Sequence, residues 1–149
     1  MASEPKVAPF GSWESPITAE FVASEALGVS DVALDGSVVL WTEMRPAEGG
    51  RYAVVRRSPE GDVQDALPPS FNARTRVHEY GGAPYVADGR TLYASRFEDQ
   101  RVYRLDPGAD PQPITPDVDA RYADPVLDRK RERLICVRED HRGDGEPVN

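Results

Sequence analysis

From Val29 onward the apolar positions fall in short runs, rich in β-branched and aromatic residues and separated by glycine, aspartate and proline. This pattern predicts strands over residues 31–34, 38–44, 52–57, 63–67, 77–86, 91–96, 102–105, 112–115, 122–127 and 133–138. Asp35-Gly36, Gly49-Gly50, Glu60-Gly61, Asp88-Gly89 and Pro107-Gly108 supply turns between several of them. Only the start of the chain departs from the pattern. Residues 1–12 mix Pro, Ser, Glu and Lys without periodicity and are expected to form a loose arm. Ser15-Pro16 then opens a short predicted helix that ends before Gly28. Ser15 suits the cap, Pro16 the first helical position, and Ile17 and Phe21 share a face.

An internal repeat organises the strands. Residues 32–41 align with residues 85–94, each unit being a strand, an Asp-Gly hairpin and a strand. A third copy over 125–137 keeps the aspartate and lengthens the turn, so that Asp35, Asp88 and Asp128 recur at intervals of 53 and 40 residues. Four strands per unit of about forty to fifty residues is the period of a β-propeller blade. The expected fold is therefore all-β, a partial β-propeller of about two and a half four-stranded blades behind the short N-terminal helix. Its expected divisions are an arm and helix at 1–28, blade one at 29–76, blade two at 77–116 and the start of blade three at 117–149. Closed propellers take about four to eight blades, so the pattern reads as the front of something longer.

The densest chemistry is the run Arg74-Thr75-Arg76-Val77-His78-Glu79-Tyr80-Gly81-Gly82. Strand alternation would place Arg74, Arg76, His78 and Tyr80 on one face and Thr75, Val77 and Glu79 on the other. The two glycines permit positive φ or close approach of another backbone. Two roles stay open for Arg74, Arg76, His78, Glu79 and Tyr80. They face a substrate, or they lock the junction between blades, with the arginines paired to nearby carboxylates.

Charge and composition narrow the function classes. The chain has 26 acidic and 18 basic residues, a formal charge of −8, which argues against nucleic acid and anionic membrane surfaces. Arg129-Lys130-Arg131 with Arg133 lies between two predicted strands and reads as an exposed turn. Residues 1–10 lack an apolar signal core, and no run approaches the roughly eighteen apolar residues of a membrane span. The single Cys136, in an apolar run, is expected to be a buried structural thiol and fits a reducing cytoplasm. His78 and His141, 63 residues apart, form no zinc pattern with one cysteine. Asp117, Asp119, Asp124 and Asp128 lack the ligand order of a calcium loop, and neither Gly49-Gly50 nor Gly81-Gly82 has the flanks of a phosphate loop. No metal or cofactor is expected, and nothing specifies an oligomeric state.

Three stretches carry a resemblance: Trp13-Glu14-Ser15-Pro16-Ile17-Thr18-Ala19-Glu20, the run 74–82, and Val137-Arg138-Glu139-Asp140-His141. In this order, on a blade-like repeat, they resemble the N-terminal propeller of bacterial serine peptidases of the prolyl oligopeptidase family, near its dipeptidyl and acylaminoacyl peptidase branches. The resemblance implies a propeller capping an α/β-hydrolase domain with a Ser, Asp, His triad, and restricting access to short peptides. This chain has no Gly-x-Ser-x-Gly, so no catalytic residue is expected in it and alone it is expected to be inactive. The implied partners are short peptides, the remaining blades and the hydrolase domain. In such an enzyme Glu79 could pair with a peptide's N-terminal ammonium, and Arg74 or Arg76 could bind a C-terminal carboxylate or hold Glu79 in place. The alternative is a non-catalytic propeller used for protein interaction.

Overall fold

A computed structural model describes residues 7–13, 15–19, 22, 27–143 and 145–148. Strands β1 (Gly28–Asp35), β2 (Val38–Arg45), β3 (Arg51–Arg57) and β4 (Val63–Asp65) form a first antiparallel sheet in that order, with a 3-10 turn at Pro46–Glu48. Strands β5 (Tyr85–Asp88), β6 (Thr91–Ser95), β7 (Val102–Leu105) and β8 (Gln112–Pro113) repeat the meander in a second sheet. Strands β9 (Ala120–Asp128) and β10 (Arg133–Asp140) pair as a third. The chain is all-β, and its three consecutive sheets make a partial propeller.

The repeat works at the hairpin tips. Asp35 pairs with Val38 and Asp88 with Thr91, so each loop has two residues and opens on a glycine, Gly36 or Gly89, with φ 61° or 63°. Each tip aspartate also reaches the next sheet. Asp35 Oδ2 accepts from the Gly89 N–H at 2.5 Å, and Asp88 Oδ1 accepts from Arg129 Nη2 at 2.8 Å. Arg131 and Arg133 pair with Asp128 of their own hairpin, so much of the basic charge there is neutralised locally.

Apolar side chains from the first two sheets make the main core, in which Leu40, Val54, Phe71, Ala73, Leu92 and Tyr103 are buried. Burying each large side chain contributes about 1.5–3 kcal/mol. A smaller cluster of Val102, Ala120 and Tyr122 joins the second sheet to the third, with Tyr93, Leu134 and Cys136 against it. Cys136 is thus half-buried, less covered than its apolar run predicts, and burial pushes its thiol pKa up. Among the described residues no helix is long and apolar enough to cross a membrane.

Three expectations change. Part of the predicted N-terminal helix lies outside the described residues. In the part that is described the helix does not form an element of the fold; Ala19 and Val22 lie in a single helical turn in which the Val22 N–H donates to the Thr18 carbonyl at 3.0 Å. Strand β8 is shorter than the predicted 112–115: the Ile114 N–H still donates to the Val102 carbonyl, but the Val102 N–H goes to the Thr115 hydroxyl and the Thr115 carbonyl accepts from Arg101, so the ladder stops. The predicted strand 77–86 does not exist over most of its length; pairing begins at Tyr85, and residues 77–80 are a turn.

Candidate functional site

The run 74–82 connects the first sheet to the second. It enters extended: the Ala73 N–H donates to the Tyr52 carbonyl at 2.9 Å and Ala73 bridges Arg96. From here exposure alternates as a strand's would, with Ala73, Thr75 and Val77 buried and Arg74, Arg76 and His78 exposed. No neighbouring strand supplies a ladder. Side chains satisfy the backbone instead: Gln100 Oε1 accepts from the Arg76 N–H at 2.7 Å and Thr75 Oγ1 from the Val77 N–H at 3.2 Å.

The alternation ends at His78. His78 and Glu79 both take left-handed backbone, φ 54° and 64°, and Gly81 follows at φ 88°. Left-handed backbone costs an L-residue about 1–2 kcal/mol, so two in succession need outside support. Turn hydrogen bonds supply part: Glu79 N–H to the Arg76 carbonyl and Gly81 N–H to the Val77 carbonyl, each 2.9 Å. The rest comes from the third sheet. Glu139 on β10 accepts from the His78 N–H at 3.2 Å, and Arg121 on β9 donates to the Arg76 carbonyl at 2.8 Å. The turn swings Glu79 off the buried face that strand alternation assigned it, leaving its side chain 72% exposed, and Tyr80 stands 95% exposed beside it.

The charged side chains sort differently from the expectation. Arg74 lies 5.1 Å from the Tyr52 ring centre and 5.0 Å from that of Phe97, and Arg76 lies 5.6 Å from Phe97. Neither has an ion pair among the described residues, despite the acidic excess of the chain. Glu79 is held not by these arginines but by Arg121 Nη1, at 2.5 Å. That hydrogen bond, then the charge of Arg121, holds the Glu79 carboxyl below the usual carboxylate range. His141 Nε2 lies 2.9 Å from Glu139 Oε2, and His78 Nδ1 lies 3.7 Å from Glu139 Oε1. Burial pushes the Glu139 carboxyl up, but His141, the His78 N–H and the charge of Arg121 outweigh it and the net shift is downward.

Arg121 and Glu139 were not singled out as site residues by sequence. Arg121 sits in a stretch dominated by aspartates, which hides it. The available signal was the hairpin at Asp128: antiparallel pairing carried back from it leads towards Glu139, and the observed register pairs Glu139 with Arg121. On the far side of Tyr80 a cleft of about 340 Å³ is lined by Asp31, Tyr52, Arg74, Tyr80, Gly81 and Gly82, among others. Asp31 is a bulged β1 residue at φ 49° whose carboxylate accepts from Ser30 and Thr42 hydroxyls. Arg74, in the wall of this cleft and without an ion pair among the described residues, presents a guanidinium suited to an anionic group. Among the described residues no serine hydroxyl bonds either histidine ring, and no three His, Cys, Asp or Glu side chains could hold a metal ion.

Acid is expected to loosen this junction. Glu79 and Glu139 have folded pKa values below the ordinary 4.5, so the unfolded chain binds more protons as pH falls through that value. The stability they contribute is present above about pH 4.5 and is lost towards their lowered pKa values. Thermal melts from pH 7 to pH 3 should show a fall that is shallower in Glu139→Gln; equal slopes would count against the assignment.

No protein-family model and no curated protein matches the chain. Solved structures do. The crystal structure of a puromycin hydrolase is similar with a TM-score of 0.80 and 39% identity, covering 95% of this chain and 23% of that one. A Mycobacterium tuberculosis puromycin-hydrolyzing peptidase gives 0.82 and 40%, covering 97% and 23%. A mutant puromycin hydrolase complexed with PGG gives 0.80 and 42%, covering 93% and 23%. The chain spans about a quarter of the length of these enzymes. With two consecutive four-stranded sheets and about 40% identity to these enzymes along nearly its whole length, the chain is consistent with an N-terminal propeller portion of a prolyl oligopeptidase-family peptidase.

Proposed function

We propose that this chain gates and selects short peptides for a serine peptidase's hydrolase domain in a longer protein, with Glu79 receiving the peptide's N-terminal ammonium. In this reading the chain divides into an arm at 1–28 and blades at 29–76, 77–116 and 117–149, and the run 74–82 spans the passage from the first blade to the second. The observation that carries the role of Glu79 is the left-handed His78-Glu79 pair. Strained backbone persists where surrounding structure enforces it, and here its result is to aim a carboxylate out of the fold. Arg121 keeps that carboxylate ionised, the form an ammonium needs. Arg74, about 5 Å from the Tyr52 and Phe97 ring centres and without an ion pair among the described residues, is suited to a peptide's terminal carboxylate. Bond cleavage itself belongs to the hydrolase triad.

The test is kinetic. In the protein that carries this chain, Glu79→Gln should raise KM about tenfold for peptides with a free N-terminus, the loss of one charged hydrogen bond. KM for the matching N-acetylated peptides should not move. An unchanged KM for the free peptides, or an equal rise for both, contradicts the role.

A further inference from the structure

We propose that Glu139, in the Val137–His141 stretch that the function above leaves unused, is the positioning residue for the substrate-facing Glu79; this rests on the reading of Glu79 just given. Glu139 is 5% exposed, and a buried carboxylate persists only with several partners. Its partners converge on one turn. Oε1 accepts from the backbone N–H of His78, the residue at which the chain first turns left-handed. Oε2 lies 3.6 Å from Arg121 Nη1, the same nitrogen that holds Glu79 Oε1 and donates to the Arg76 carbonyl at 2.8 Å. His141, two residues along, braces Oε2 from the other side at 2.9 Å, and its own N–H is tied to the Asp119 carbonyl.

Glu139 therefore grips the turn twice, at the peptide that starts it and through the guanidinium that holds the carboxylate it presents. Arg121 and Glu139 are direct cross-strand partners on β9 and β10, so the sheet fixes the distance between them. Remove the carboxylate and the His78 N–H loses its acceptor and Arg121 an opposite charge beside it. Among the described residues, Arg121 and the Ala83–Asp124 hydrogen bonds beyond Gly82 are then what holds this stretch to the third sheet, and Glu79 no longer occupies one position. The substrate's ammonium loses a preorganised partner, while the distant reacting bond is untouched. Affinity should suffer and turnover should not.

The experiment uses the intact protein that carries this chain and a short peptide with a free N-terminus. Glu139→Gln should raise KM about fivefold to tenfold with kcat held. A purely structural role would instead lower the folded fraction, reducing apparent kcat at constant KM. In a Glu79→Gln background the same substitution should add almost nothing, because Glu139 acts through Glu79. An unchanged KM in Glu139→Gln, or a rise of equal size in both backgrounds, overturns the proposal. If Glu79→Gln alone leaves KM unchanged, the ammonium role has failed and this inference falls with it. If Glu79→Gln raises KM and Glu139→Gln does not, only this inference fails. Should Glu139→Gln not fold, Arg121→Gln reads the same path, and its KM, with a melt confirming folding, decides in the same sense.

Discussion

Phe71→Ala is expected to destabilise the chain by about 3–5 kcal/mol, the range for emptying a well-packed aromatic site. Phe71 is 1% exposed and stands edge-on to Tyr103, centroids 5.6 Å apart at 84°, in the core between the first two sheets. The cavity cannot close easily. Backbone bonds fix the site on both sides: the Phe71 N–H to the Pro68 carbonyl at 2.9 Å, and the Phe71 carbonyl to Arg51 Nη1 at 3.3 Å. Arg51 is in turn braced by Glu48 at 2.6 Å. Phe71 also lies just before the run 74–82, so its loss should loosen the entry to the functional turn. A urea titration with an unchanged m-value reads the effect as a midpoint shift. A loss below about 1 kcal/mol would mean the two sheets are not held by this core.

Gly81→Val should be nearly as costly, for a different reason. Gly81 closes the turn through its N–H to the Val77 carbonyl, at φ 88°. A Cβ there would stand 3.0 Å from the Thr75 carbonyl oxygen, a backbone atom in a buried residue that cannot swing aside. Conformational strain of about 1–2 kcal/mol and overpacking of about 1–3 kcal/mol combine to roughly 2–5 kcal/mol. Gly89→Ala is the control. Gly89 has a similar left-handed φ of 63°, but nothing lies within 4 Å of its Cβ position, so only the strain should appear. Equal losses at the two glycines would show that the close approach at Thr75 contributes nothing.

The hairpins were legible because their signals are local. Asp35-Gly36 and Asp88-Gly89 announce two-residue turns; the runs that follow them became β2 and β6 close to their expected limits, whereas β1 begins three residues early and β5 only at Tyr85. The run 74–82 misled because its signals are also local, and local ones point to a strand. Its alternation is real as far as His78. What ends it is a hydrogen bond from the His78 N–H to a carboxylate 61 residues away, and no glycine advertises the left-handed pair at His78 and Glu79. The arginines misled in the same way. An acidic chain suggests ion pairs, yet Arg74 and Arg76 lie on rings brought beside them by β3 and by the loop after β6. The partner that Glu79 does have, Arg121, comes from a different sheet and is visible only once the register of β9 on β10 is known.

The most direct measurement is a crystal structure of the intact protein with a short, free-amine peptide bound. The expected structure has the peptide nitrogen about 3 Å from the Glu79 carboxylate, with His78 and Glu79 still left-handed and Arg121 still on Glu79. A peptide bound with its ammonium elsewhere, and Glu79 closed on Arg121 alone, would contradict the assignment of this turn to substrate selection.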